Sequence, residues 1–398
     1  MLNEFSDTVV WRLVPVAVAA QRFDAAARWA HWPGRTPSPH FTVPPPRQGP
    51  YLAGGNHRGG EPPIMDGYRF PPAVQPWLEA AQAHPEVRAV LLAGGSGRGD
   101  LWTGSDLDLY VVWAHEGRPD LPRPNLRDRF ADVHHVTVAA LEDLIAHAAA
   151  FAQSTVVDET AGGVSLHDPD GLLGRWLAVL SARLADPAIW RARARVRLQA
   201  ARQMLVAADA EDEPIESALL ARDAARLVAW AYVVGRGGLI TSARRFADRF
   251  MADCARQVQQ AFAHVWALGG GRSAVDTSVT ALQDALRGAL DAAVGHPRRA
   301  DEHYWIATYR GASEDQRQAT LAVHPLPALL LPALAAGYYD GALMWMRGYY
   351  RLMFTELLAE LPPGEWPVAA LRRFHGFLGN EREQCRGFLE MVEASVLH

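Results

Sequence analysis

Between residues 87 and 138 the chain alternates short apolar runs with polar breaks: VRAVLLA from Val87, DLDLYVVW from Asp106 and ADVHHVTV from Ala131. Runs of this length, rich in β-branched and aromatic residues, predict strands at Val87–Ala93, Asp106–Trp113 and Ala131–Val138. Apolar residues recurring every three or four positions predict helices at Ala73–Ala83 and Leu141–Ala152. Beyond Leu172 only the helical period persists, with helices expected at Trp190–Ala208, Ile215–Val234, Ala243–Leu268 and Leu326–Glu360. The pattern predicts an α+β fold, with a small mixed-sheet domain over 73–171 and a larger all-helical C-terminal domain over 172–398. Residues 1–72 differ. Twelve of the 27 prolines fall between Pro33 and Pro76, so this stretch reads as a Pro-rich extension, preceded by one amphipathic helix at Val14–Trp29.

The composition adds limits. With 398 residues and 49% hydrophobic side chains the chain has material for more than one core. A formal net charge of −5 does not favour sequence-indifferent binding to nucleic acid. No lysine occurs anywhere, so all 39 basic residues are arginines. Schiff-base catalysis and a lysine-dependent phosphate loop are excluded, and charge on a phosphate has to be met by Arg, backbone or metal. Cys254 and Cys385 lie too far apart in sequence for a zinc motif and suit a reducing compartment. The opening residues carry Glu4 and Asp7 where a secretory signal wants positive charge, and no stretch has the apolar length of a membrane span. A cytoplasmic protein without membrane contact is expected.

The chemistry concentrates in VRAVLLAGGSGRGDLWTGSDLDLYVVW, Val87 to Trp113. On a strand, residues two apart share a face, so Asp106 and Asp108 point together while Leu107 and Leu109 point into a core. Paired carboxylates suit a hard divalent cation such as magnesium. Gly94 and Gly95, without side chains, allow the backbone close to a phosphate, and a helix starting there would aim N–H groups at it.

At these residues the chain resembles the nucleotidyltransferases of the DNA polymerase β superfamily, whose pattern is a hydrophobic residue, Gly, Gly or Ser, about ten residues, then acid-hydrophobic-acid. Ten residues separate Gly95 from Asp106, and the fuller run is similar to small bacterial aminoglycoside-type (kanamycin/streptomycin) enzymes at Gly94, Gly95, Arg98, Gly99, Ser105, Asp106 and Asp108. Gly95 departs from a serine found in many relatives, which passes that phosphate contact to backbone N–H groups or to Ser96. The resemblance implies a third carboxylate on a neighbouring strand, supplied by Asp132, either completing the metal site or acting as general base; Asp128 and Glu142 stand nearby. GGVSLHDPDGLL resembles the strand, Asp-Pro turn and helix start that close this domain. The likeness covers roughly Val87–Leu173.

What the resemblance implies is transfer of a nucleoside monophosphate from an NTP, ATP foremost, with two Mg2+ ions, to a hydroxyl of a small-molecule acceptor such as an aminoglycoside-like antibiotic. Asp106, Asp108 and Asp132 would be catalytic and metal-binding. Gly94, Gly95, Ser96, Arg98 and Ser105 would contact the nucleotide. Two other readings are a toxin-type enzyme acting on tRNA or protein, and a non-catalytic nucleotide-binding module. Arg98 either steadies phosphate or pairs with Asp100 or Asp106. His134 shares a strand face with Asp132 and reads as a hydrogen-bonded structural residue or a substrate contact. The aromatic stretch Tyr338–Phe354 reads first as core, and the acidic cluster from Asp209 to Glu216 as a solvated loop and helix-dipole partner.

Overall fold

The computed structural model describes residues 74–99, 107–115, 121, 131–239, 243–295, 313, 331–348 and 366–397. The Pro-rich extension and the helix expected at Val14–Trp29 lie outside them. So do Ser105, Asp106 and Asp128.

The first helix, α1 (Gln75–Ala83), begins with Pro76 in its first turn, where a missing N–H costs nothing, and buries Trp77, Leu78 and Ala81. After it come β1 (Val87–Leu92), the single turn α2 (Gly94–Gly97), β2 (Leu107–Trp113), β3 (Ala131–Thr137) and, further on, β4 (Val164–His167). The sheet order is β3-β2-β1-β4. β1 pairs antiparallel with β2 and with β4, while β2 and β3 run parallel, which makes the sheet mixed. Both faces are covered, so the central strands read as nearly unbroken apolar runs. Val90, Leu92, Leu107, Leu109, Val111 and Trp113 pack on Trp77 and Leu78 of α1. Ala89, Leu91, Tyr110 and Val112 pack on the opposite layer with Leu141, Phe151 and Trp176.

That second layer is built from α3 (Val138–Ala146), α4 (Ala148–Gln153), α5 (Val156–Thr160) and α6 (Leu172–Leu184). The helix expected as one piece at Leu141–Ala152 is two, interrupted at His147, whose backbone is extended at φ −113° and ψ 114°. The reason is tertiary. Arg183 of α6 donates from Nη1 to the Leu144 carbonyl and from Nη2 to the Ile145 carbonyl, both 2.7 Å, and stacks over Phe151. The carbonyls that a continued helix would satisfy thus find a partner elsewhere. The Asp-Pro turn before α6 acts as a cap, with Asp168 accepting from the Leu173 and Gly174 N–H groups at 3.1 and 2.9 Å.

After β4 every described element is helical: α7 (Pro187–Ala210), α8 (Pro214–Gly235), α9 (Ala243–Asp253), α10 (Arg256–Trp266), α11 (Gly271–Gly295), α12 (Leu331–Ala335), α13 (339–348), α14 (Val368–His375) and α15 (Glu381–Val396). Pro187 and Pro214 stand in the first turns of α7 and α8, capped by Asp186 and Glu213. Asp209 of the acidic cluster pairs with Arg386 of α15. The expected helix Ala243–Leu268 breaks at Cys254–Ala255, and Gln259 Nε2 donates to the freed Cys254 carbonyl at 2.7 Å. The break lets Phe250 of α9 meet Phe262 of α10, ring centroids 4.7 Å apart, and Phe388 of α15. The helix expected from Leu326 is interrupted at Ala336–Tyr338, where Gly337 turns left-handed at φ +81°.

The described residues fall into two compact units. One draws on Pro50–Ala274, Leu326–Ala342 and Gly376–His398 and holds the sheet together with α7, α8, α10 and α15. The other draws on Val275–Pro325 and Leu343–His375, where Arg347 donates to the Phe374 carbonyl and to Ser278 Oγ at 3.1 and 3.3 Å. Among the described residues no helix is long and apolar enough to cross a membrane.

Candidate functional site

Leu107 and Leu109 are fully buried toward α1, and this alternation turns Asp108, between them, to the opposite face of β2. The parallel register sets Asp132 beside Asp108 and His134 beside Tyr110. Val133 packs toward α1, and His135, on the same side, accepts at Nδ1 from Trp113 Nε1 at 2.8 Å. A slip of one residue would exchange these two sets. The structure therefore brings Asp108, Asp132 and His134 together, while Glu142 is exposed on α3.

One ligand atom from each of Asp108, Asp132 and His134 lies within 4.8 Å of the others. His134 Nε2 is 3.9 Å from Asp108 Oδ1 and 3.7 Å from Asp132 Oδ2, and the three side chains keep 21 to 25% of their surface open, so a ligand can reach them. The His134 ring stacks on Tyr110, centroids 4.7 Å apart and planes 17° apart. The Tyr110 hydroxyl in turn donates to Glu159 of α5. Burial opposes protonation of His134, yet Asp108, Asp132 and Glu159 outweigh it and hold its pKa above the ordinary histidine value. Burial and the neighbouring Glu159 carboxylate push the Tyr110 pKa well up, so this phenol stays protonated. Two carboxylates and an imidazole are a donor set that fits a divalent cation.

The glycine turn faces the same point. Gly94 opens α2 at φ +59°, and a β-carbon on it would sit 1.8 Å from Asp108 Oδ2. Ala93 N–H donates to the Asp108 carbonyl at 2.9 Å, which joins the turn to β2. Gly97 is wedged too, since a β-carbon there would meet the Leu92 carbonyl at 2.5 Å. Gly95 is partly open and Ser96 fully buried.

Arg98, considered for phosphate or for Asp100 and Asp106, points elsewhere with its Nη1. That nitrogen donates to the carbonyls of Asp158, Glu159 and Ala161 at 3.2, 3.5 and 3.1 Å, around the C-terminal end of α5. Asp158, buried, accepts from Arg193 and Arg197 of α7 at 2.6 and 2.8 Å. Burial pushes the Arg193 pKa down to about 10, against the pull of Asp158, without threatening its charge. Sequence reasoning missed Glu159 and this anchorage altogether. VVDET carries no motif, and only the spacing of Arg193 and Arg197, one helical turn apart, hints at a shared partner. No protein-family model matches the chain, and no curated protein matches it in sequence.

Proposed function

We propose that this chain is a divalent-metal-dependent nucleotidyltransferase that moves a nucleoside monophosphate from an NTP, ATP foremost, to an acceptor hydroxyl. The observation that carries the reading is the juxtaposition of Asp108 and Asp132 in one register, with the Gly94 turn pressed against the Asp108 carboxylate. Glycines that allow close backbone approach, facing carboxylates that suit magnesium, match the two ends of a metal-bound triphosphate. Asp108 and Asp132, with Asp106 as the remaining carboxylate, would hold the metal. When bound it supplies charge neutralisation on the phosphates and polarises the α-phosphorus.

The chain's own residues do the rest. The backbone at Gly94 and Gly95 lies against the phosphates, and the burial of Ser96 favours that backbone over the Ser96 hydroxyl as the contact. Asp132 takes the proton of the acceptor hydroxyl, whose oxygen forms the new bond to the α-phosphorus as the bond to pyrophosphate breaks. A small hydroxylated molecule is the favoured acceptor by resemblance to the aminoglycoside-type enzymes, and the net charge of −5 does not favour a nucleic acid.

The test supplies each labelled NTP with Mg2+ and follows pyrophosphate release across small-molecule, tRNA and protein acceptors. Asp108→Asn should fold and lose transfer. Asp132→Asn should slow transfer by roughly 10² to 10⁴, the range of a lost general base, and also weaken the metal. Wild-type turnover in either folded variant would overturn the reading.

A further inference from the structure

We propose that His134 is a third ligand of the cation held by Asp108 and Asp132, and that its imidazole tunes the site to a first-row divalent transition ion ahead of magnesium. The inference rests on the reading of those two aspartates as metal ligands and adds which ion they serve.

Distance is the first argument. His134 Nε2 stands 3.9 and 3.7 Å from the two carboxylate oxygens. Both separations exceed the roughly 3.2 Å reach of an N–H···O hydrogen bond. Both fall inside the roughly 4.2 Å that two ligands can span when each bonds one ion at about 2.1 Å. The nitrogen, which pairs directly with the carboxylates when protonated, therefore also stands within reach of an ion shared with both of them when neutral.

Orientation is the second. The ring lies nearly parallel to Tyr110, 17° between planes, and Tyr110 is tied by its hydroxyl to Glu159 on α5. The β2–β3 register sets the backbone of all three candidate ligands. The imidazole thus needs little ordering on binding, which is how a supporting shell raises metal affinity.

Ligand chemistry makes the third argument. Magnesium demands oxygen donors in near-ideal octahedral geometry and gives up water reluctantly. Replacing one oxygen by imidazole nitrogen weakens its case and strengthens that of first-row transition ions.

The test uses the full chain stripped with chelator and titrated with Mn2+, a paramagnetic member of that class. Loss of the free Mn2+ resonance measures binding, added Mg2+ measures competition, and electron spin echo detects nitrogen bound to the ion. We expect Mn2+ to bind more tightly than Mg2+, with coupling to one imidazole nitrogen. His134→Gln should abolish the coupling and weaken Mn2+ at least roughly 10-fold, a larger loss than for Mg2+. Should that variant fail to fold, the wild-type echo alone still decides. Bound Mn2+ without nitrogen coupling, or coupling that survives in His134→Gln, overturns this inference and leaves the carboxylate site standing. Mn2+ binding that Asp108→Asn does not weaken overturns the nucleotidyltransferase site as well.

Discussion

Gly94 carries two constraints in one residue: a left-handed backbone at φ +59° and a Cα pressed on the Asp108 carboxylate. An alanine there has to strain its backbone, at about 1 to 3 kcal/mol, and also displace the carboxylate. Gly94→Ala should therefore lose stability by roughly that amount in urea unfolding. It should also bind Mn2+ more weakly than the wild type, because Asp108 can no longer stay beside Asp132. Wild-type stability together with wild-type metal affinity would contradict this close approach. From the sequence the glycine pair reads as a device for approaching phosphate. That its first member also has to make room for an aspartate 14 residues on depends on how the turn folds back over β2, which no local pattern contains.

Among the elements, the short helix α5 joins β2, the glycine turn and α7. Its Asp158 faces Arg193 and Arg197 of α7, its Glu159 holds Tyr110 of β2, and its terminal carbonyls take Arg98 from the glycine turn. Five residues thereby tie strand β2 of the candidate site to the long helix α7. Asp158→Asn would leave two buried guanidinium groups without their carboxylate, a loss of about 3 to 5 kcal/mol. Chemical unfolding measures it; a loss below about 1 kcal/mol would mean that water already serves the two arginines. The segment RARARVR of α7 places four arginines at alternate positions. Only packing decides which of its arginines turn inward, since each charge is buried only where a distant carboxylate meets it.

Among the described residues, contacts far apart in sequence decide where some helices start and stop. Asp248 of α9 accepts from the Asp340 and Gly341 N–H groups at 3.3 and 2.6 Å, capping α13 from 92 and 93 residues away, while Asp340 accepts from Gly269 N–H at 2.9 Å. Burial, with Asp340 beside it, raises the Asp248 pKa to about 6 despite the two N–H donors. A carboxyl whose pKa is higher folded than unfolded binds its proton more tightly in the folded chain. Its contribution to stability is therefore greatest in acid and is lost as pH rises from about 4 to about 6. Asp248→Asn removes that dependence. Relative to the wild type, the variant should be more stable at pH 7 than at pH 5 in urea unfolding, and a stability difference that does not change between the two would refute the assignment.

The sequence by itself determined the strands Val87–Leu92, Leu107–Trp113 and Ala131–Thr137 to within a residue or so, because apolar alternation is a local property that the pleat reads directly. It determined that Asp108 leaves the face occupied by Leu107 and Leu109, and that helices dominate after Leu172. The breaks at His147, Cys254 and Gly337 escaped it. Each lies inside a run of good helical period, and the interruption holds because a partner, in two of the three cases from another element, takes the freed backbone groups: Arg183, Gln259 and Asp248. The site divides in the same way. Asp132 and His134 share a face by alternation alone, but their meeting with Asp108, and the stack of His134 on Tyr110, required the parallel β2–β3 register. That register is set by burying Ala131 and Val133 against α1, an energy that belongs to the folded core and not to any segment of the chain.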